Sequence, residues 1–69
     1  MPTWTAITTL DERTRAEGLA EALEDFDPEP TGIGAFEMED GSGLWEVGAY
    51  FEAAPDAVRL DLLAAAHGA

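Results

Sequence analysis

Asp40-Gly41-Ser42-Gly43 stands between two runs that alternate apolar and polar residues, and this segment constrains the chain more than any other. Asp and Gly accept the positive φ values of tight turns, so the flanking runs are expected to fold back on each other as a β-hairpin. Before the turn, Ala35-Phe36-Glu37-Met38-Glu39 alternates in a way that puts Phe36 and Met38 on one strand face and Glu37 and Glu39 on the other. After it, the returning strand Leu44–Phe51 places Trp45, Val47, Ala49 and Phe51 on one face, with Glu46, Gly48 and Tyr50 on the other. On this reading Phe36 and Val47 both face the core, and an aspartate at either position would unfold the domain by burying an unpaired charge.

The remaining elements are arranged around that hairpin. Residues 3–9, Thr-Trp-Thr-Ala-Ile-Thr-Thr, are nearly all β-branched or aromatic and read as a first strand. Thr9 and Glu12 have the spacing of a capping box, which predicts a helix start there, and Asp11 and Glu12 suit the positive end of the helix dipole. Ala16, Leu19, Ala20, Leu23 and Phe26 then recur at three- and four-residue steps, while Glu17, Glu21, Glu24 and Asp25 take the wet side. Gly18 interrupts this helix and suggests close approach to the sheet. Asp27-Pro28-Glu29-Pro30 cannot continue a helix and forms a stiff acidic connector. Pro55 suits a first helical position with Asp56 beside it, and two apolar stripes compete for the core in the second helix: Val58, Leu62 and Ala65, or Leu60, Leu63 and Ala64. That helix ends near His67-Gly68.

The order β-α-β-β-α is one strand short of the ferredoxin-like split βαβ arrangement, in which two helices cover one face of an antiparallel sheet and leave the other open. The expected class is therefore α+β, with residues 1–69 as a single domain and the final strand missing. A strand absent from that position would leave the first strand as an unprotected edge. The chain is accordingly expected either to be a fragment of a longer protein or to self-associate through the strand 1 edge.

Charge narrows the partners. Fifteen acidic residues face three arginines and no lysine, for a formal charge of −12. Such a surface repels phosphate backbones, which argues against nucleic acid, and its electrostatic complement is a basic protein. Compositional bias toward acidic residues also produces such a surface with no partner at all. No stretch approaches a membrane span and the start, Met1-Pro2-Thr3-Trp4, lacks the pattern of a secretory signal, so a cytoplasmic location and no membrane partner are expected.

Catalytic chemistry has little material to work with. His67 is the only histidine and Ser42 the only serine, and the latter lies in the turn. A nucleophilic triad across these positions is not expected. Neither Gly32-Ile33-Gly34 nor Asp40-Gly41-Ser42-Gly43 opens a helix, so no phosphate cradle is formed. Glu37, Glu39 and Glu46 could together hold a hard cation, serve a glycosidase or contact lysines, but alternating glutamates are also what a solvent-facing strand contains. No catalytic, cofactor-binding or metal-ligating residue is assigned. With Tyr50, these three glutamates form the one candidate partner-binding surface.

Met1-Pro2-Thr3-Trp4-Thr5-Ala6 and the hairpin from Phe36-Glu37-Met38-Glu39-Asp40-Gly41-Ser42-Gly43 to Leu44-Trp45-Glu46-Val47-Gly48-Ala49-Tyr50-Phe51 resemble the N-terminal domain of the ribosomal protein L-eleven methyltransferase family. The likeness extends along essentially the whole chain, including the Ala- and Glu-rich first helix and the Leu-Leu-Ala-Ala-Ala-His-Gly-Ala end. The resemblance implies a small substrate-recognition domain, joined in the parent protein to a catalytic domain that uses S-adenosylmethionine to methylate lysine side chains and the N-terminal amine of a basic ribosomal protein. None of the glycine-rich cofactor motif of such a catalytic domain occurs here, so the chain alone is expected to be inactive. The competing reading is a stand-alone ferredoxin-like interaction or regulatory module.

Overall fold

The structure is a computed structural model that describes residues 3–69; Met1 and Pro2, where the resemblance begins, lie outside the described residues. The elements are β1 (Trp4–Leu10), α1 (Arg13–Leu23), β2 (Gly32–Glu37), β3 (Trp45–Phe51) and α2 (Ala57–Ala66). They form a small α+β fold in which β3 lies at the centre of a three-stranded sheet of order β1-β3-β2, antiparallel to both neighbours. Both helices pack on one side, and the other side of the sheet has no helix over it.

The core follows from the alternation of β3. Val47, Ala49 and Phe51 turn inward and are at most 1% exposed. Leu10 from β1, and Ala16, Leu19, Leu23 and Phe26 from α1 and its trailing turn, close over them. Phe26 meets Phe51 edge-on with ring centroids 6.0 Å apart, which fixes the C-terminal end of α1 against the end of the central strand. The amphipathic spacing of α1 thus lands on the face expected of it, with Glu17, Glu21, Glu24 and Asp25 exposed.

The start of α1 differs from the capping-box expectation. β1 runs on through Leu10, Thr9 pairs with Glu46 inside the ladder, and the helix is preceded by an extended Glu12 whose side chain makes no cap hydrogen bond. Burying Leu10 contributes about 1.5–3 kcal/mol, whereas a side-chain cap contributes about 1 kcal/mol, so continuing the strand wins. Arg15 instead ties the entry together through Asp11 and Glu12 at 3.3 and 3.6 Å.

A second correction concerns the faces of β2. Phe36 pairs with Glu46 and is 54% exposed, so it lies on the open side of the sheet and not in the core. β2 begins earlier than the Ala35 start read from its alternation, at Gly32, where Thr31 N–H and Oγ both donate to the Tyr50 carbonyl at 2.7 and 3.2 Å. Ile33 pairs with Ala49 and packs on the core, and the period of two then carries Ala35 and Glu37 to its side and Phe36 to the other. Glu37 accepts that side because it lies at the strand end, where it is exposed.

α2 is seated by its ends. Asp56, not Pro55, borders the helix, and its Oδ1 accepts from Val58 and Arg59 N–H at 3.0 and 3.2 Å. At the other end Ala69 N–H donates to the Ala64 carbonyl and Gly68 N–H to that of Ala65, the paired bonds of a Schellman motif, with Gly68 at φ +94°. Of the two apolar stripes, Leu60, Leu63 and Ala64 pack on the core, while Val58 and Leu62 point to solvent. Gly18 admits the side chain of His67 from this helix, not the sheet: a Cβ there would lie 3.3 Å from His67 Nδ1. A cleft of about 140 Å³ among Ala6, Leu19, Leu23, Leu60 and Ala64 shows that α2 covers β1 incompletely.

These faces give a paired test by circular dichroism and thermal melting. Val47→Asp is expected to abolish cooperative folding, because it places an unpaired charge where a side chain is 1% exposed. Phe36→Asp is expected to fold with a stability change within about 1 kcal/mol, and its unfolding would restore Phe36 to the core.

Candidate functional site

The uncovered face of the sheet is built from residues that pair across it in three rows. Thr9, Glu46 and Phe36 form the row nearest the hairpin turn, Ile7, Gly48 and Gly34 the middle row, and Thr5, Tyr50 and Gly32 the third. Ile7 and Tyr50 are 61% and 51% exposed, so with Phe36 they make an apolar surface on a strongly acidic chain. The Tyr50 ring leans over Gly32, its Cδ2 3.5 Å from where a Cβ would stand. Glu46 is half-buried and is the sole carboxylate among these nine positions.

The four residues expected to act together are brought close but not onto one plane. Glu46 and Tyr50 share the open face; Glu37 pairs with Trp45 and belongs to the helix side; Glu39 lies in the turn beyond β2. Phe36, Glu37, Met38, Glu39, Asp40 and Glu46 nevertheless line one shallow recess at the hairpin end. Glu39, Asp40 and Glu46 therefore meet Phe36 at this recess instead of forming a flat acidic strip with Glu37.

The turn itself is held by short polar bonds. Asp40 Oδ1 accepts from Ser42 N–H at 3.0 Å, and Ser42 Oγ accepts from Leu44 N–H at 3.2 Å, while Gly41 and Gly43 take φ of 78° and 75°. Hydrogen bonding from the Ser42 side chain, then from its backbone, holds the Asp40 carboxyl below its ordinary value. Ser42 is thereby committed to the turn, and His67 is lodged against Gly18 on the helical layer, so the structure offers no nucleophile-base pair at these positions.

The positive charges lie elsewhere. Arg13 bonds Glu17 at 2.8 Å and lies over the Trp45 ring, Arg15 bonds Asp11, and Arg59 lies over the Phe26 ring. All three belong to helices, so among the described residues the open face and the hairpin recess have no cationic side chain. Among the described residues no group of three or more His, Cys, Asp or Glu side chains is arranged to hold a metal ion. Among them, too, no helix is long and apolar enough to cross a membrane.

Alternation in the hairpin named Glu46 and Tyr50 but missed Ile7, Phe36 and Gly34. The signal that finds them is Ile33: between two glycines it has the large aliphatic side chain that must turn inward, and this sets the parity of β2. No family model, no curated protein and no solved structure matches the chain.

The Asp40–Ser42 bond has a pH signature. A carboxyl with a lowered folded-state pKa contributes stability that is present above its unfolded value and is lost as pH falls through the folded value. NMR titration of the Asp40 carboxyl is expected to give a pKa below that of free aspartate, and Ser42→Ala should move it back up. Ser42→Ala keeps the backbone bond, so an unchanged titration would show that the Ser42 hydroxyl does not act on the Asp40 carboxyl in solution.

Proposed function

We propose that the chain is the substrate-recognition domain of an S-adenosylmethionine-dependent protein lysine methyltransferase, and that it docks a basic ribosomal protein of the L-eleven kind. The observation that carries this reading is a gathering of carboxylates with no arginine among them: Glu37, Glu39, Asp40 and Glu46 line the hairpin recess, while all three arginines lie on the helices. A basic partner is steered to such an end of the molecule, and nucleic acid is repelled from it. The resemblance of the hairpin supplies the identity of the partner. Glu37, Glu39, Glu46 and Tyr50 are the contact residues, with Phe36 now among them.

In this reading the fold is ferredoxin-like. The order β1-β3-β2 leaves the far side of β1 free, where a fourth strand would pair in the split βαβ arrangement. S-adenosylmethionine and the methyl transfer belong to a separate catalytic domain, and the location is cytoplasmic. The alternative is a stand-alone interaction module that pairs β1 with a second copy; it rests on the same free edge, and a dimer in solution would favour it.

Binding of ribosomal protein L-eleven by titration calorimetry tests the proposal. Replacing Glu37, Glu39 and Glu46 together by glutamine is expected to weaken binding about tenfold or more and to flatten its dependence on salt. Failure of the unaltered chain to bind at low ionic strength would end the proposal.

A further inference from the structure

Glycine inside a strand weakens it, since the residue has more freedom to lose and no side chain to pack, and it is usually explained by a bulge, a positive φ or another group that approaches closely. For Gly34 the explanations internal to the chain fail. The pairing of β2 with β3 is regular from Gly32↔Tyr50 to Glu37↔Trp45, with no bulge. Gly34 does not have positive φ, and a Cβ built on it would meet nothing within 4 Å. Its partner Gly48 has room as well: a Cβ there would be in ordinary contact at 3.8 Å with Ala6 O and Ile7 Cγ1. Two adjacent positions at the middle of the open face thus omit side chains that the fold itself would accept.

The result is a trough. Its floor is the partly open Gly34 and the buried Gly48, beside which the Ile7 side chain stands at the β1 end, and Phe36 with Glu46 and Tyr50 form the two ridges. The ridges lie four residues apart along β3, or about 13 Å between Cα rows; the ridge side chains occupy part of that span, and what remains is narrower than the roughly 10–12 Å diameter of a helix but admits one extended chain. Beyond the Phe36 ridge, one row or about 7 Å from the floor, is the recess that Glu39, Asp40 and Glu46 line.

We infer that the trough seats an extended, lysine-bearing segment of a partner protein, its backbone or small side chains on the Gly34–Gly48 floor and its ammonium group in the carboxylate recess past Phe36. Charge complementarity selects this occupant: a second copy of a chain of charge −12 would bring like-charged rims together, whereas a cationic segment meets an apolar floor and an anionic end. The inference rests on the recognition reading above and specifies the form in which the partner is held.

Gly34→Val tests it without threatening the fold, because a Cβ there meets nothing within 4 Å, the position lies on the uncovered face and valine favours strands. Backbone NMR shifts on titration with pentalysine at low salt are expected at Gly34, Phe36, Glu46, Gly48 and Tyr50, with none from pentaglutamine. Gly34→Val should keep the spectrum of the helices and lower pentalysine affinity about tenfold. Phe36→Ser, which also alters only an exposed position, should lower it as well. Unchanged affinity in both variants, shifts confined to the acidic face of α1, or a free chain already dimeric across this face would overturn the inference. If pentalysine maps to the trough but whole L-eleven does not bind, the proposed identity of the partner fails and the trough stands.

Discussion

The inward set of β3 is the constraint on which the other elements depend. Val47, Ala49 and Phe51 are sealed from below by α1 and flanked on both sides by strands, so β3 cannot slip by one residue without exposing all three. Once they point inward, β1 must register Leu10 beside Trp45, and β2 must send Ile33 inward and Phe36 outward. The open face is thus a by-product of core packing: its residues are those left over when the central strand has been satisfied. A domain of this size has few other apolar contacts with which to choose a register.

Much of this was legible in the residues themselves. The element order, the hairpin around Asp40-Gly41, the core face of α1 and that of β3 all follow from spacing, because each has several apolar residues at one period. What spacing could not resolve are positions where two local rules compete. Thr9 satisfies both a strand and a helix cap, and the decision went to the neighbouring Leu10, whose burial is worth more than the cap. In β2 the alternation of Phe36 with Glu37 and Glu39 indicates a strand but not which side is buried, and the answer lay upstream in Ile33. α2 offered two stripes of equal quality; Leu60 and Leu63 reach the core while Val58 and Leu62 do not.

The candidate site was only half visible for the same reason. Glu46 and Tyr50 sit on the well-determined strand and were placed correctly relative to each other, whereas Glu37 moved to the helix side with the parity of β2. The glycines that shape the open face carry no chemistry of their own and attract notice only when the space above them is known. The function of such a surface is expressed in what it leaves unfilled as much as in the groups it displays.

The outer edge of β1 carries a further consequence. From Trp4 to Leu10 it has no charged side chain and no proline, the usual local guards against strand-on-strand growth. What opposes such growth is collective and colloidal: a formal charge of −12 sets copies of the chain in mutual repulsion at neutral pH. That shield thins in concentrated electrolyte and vanishes toward the isoelectric point near 4.1, where this bare ribbon becomes the template for disordered precipitation.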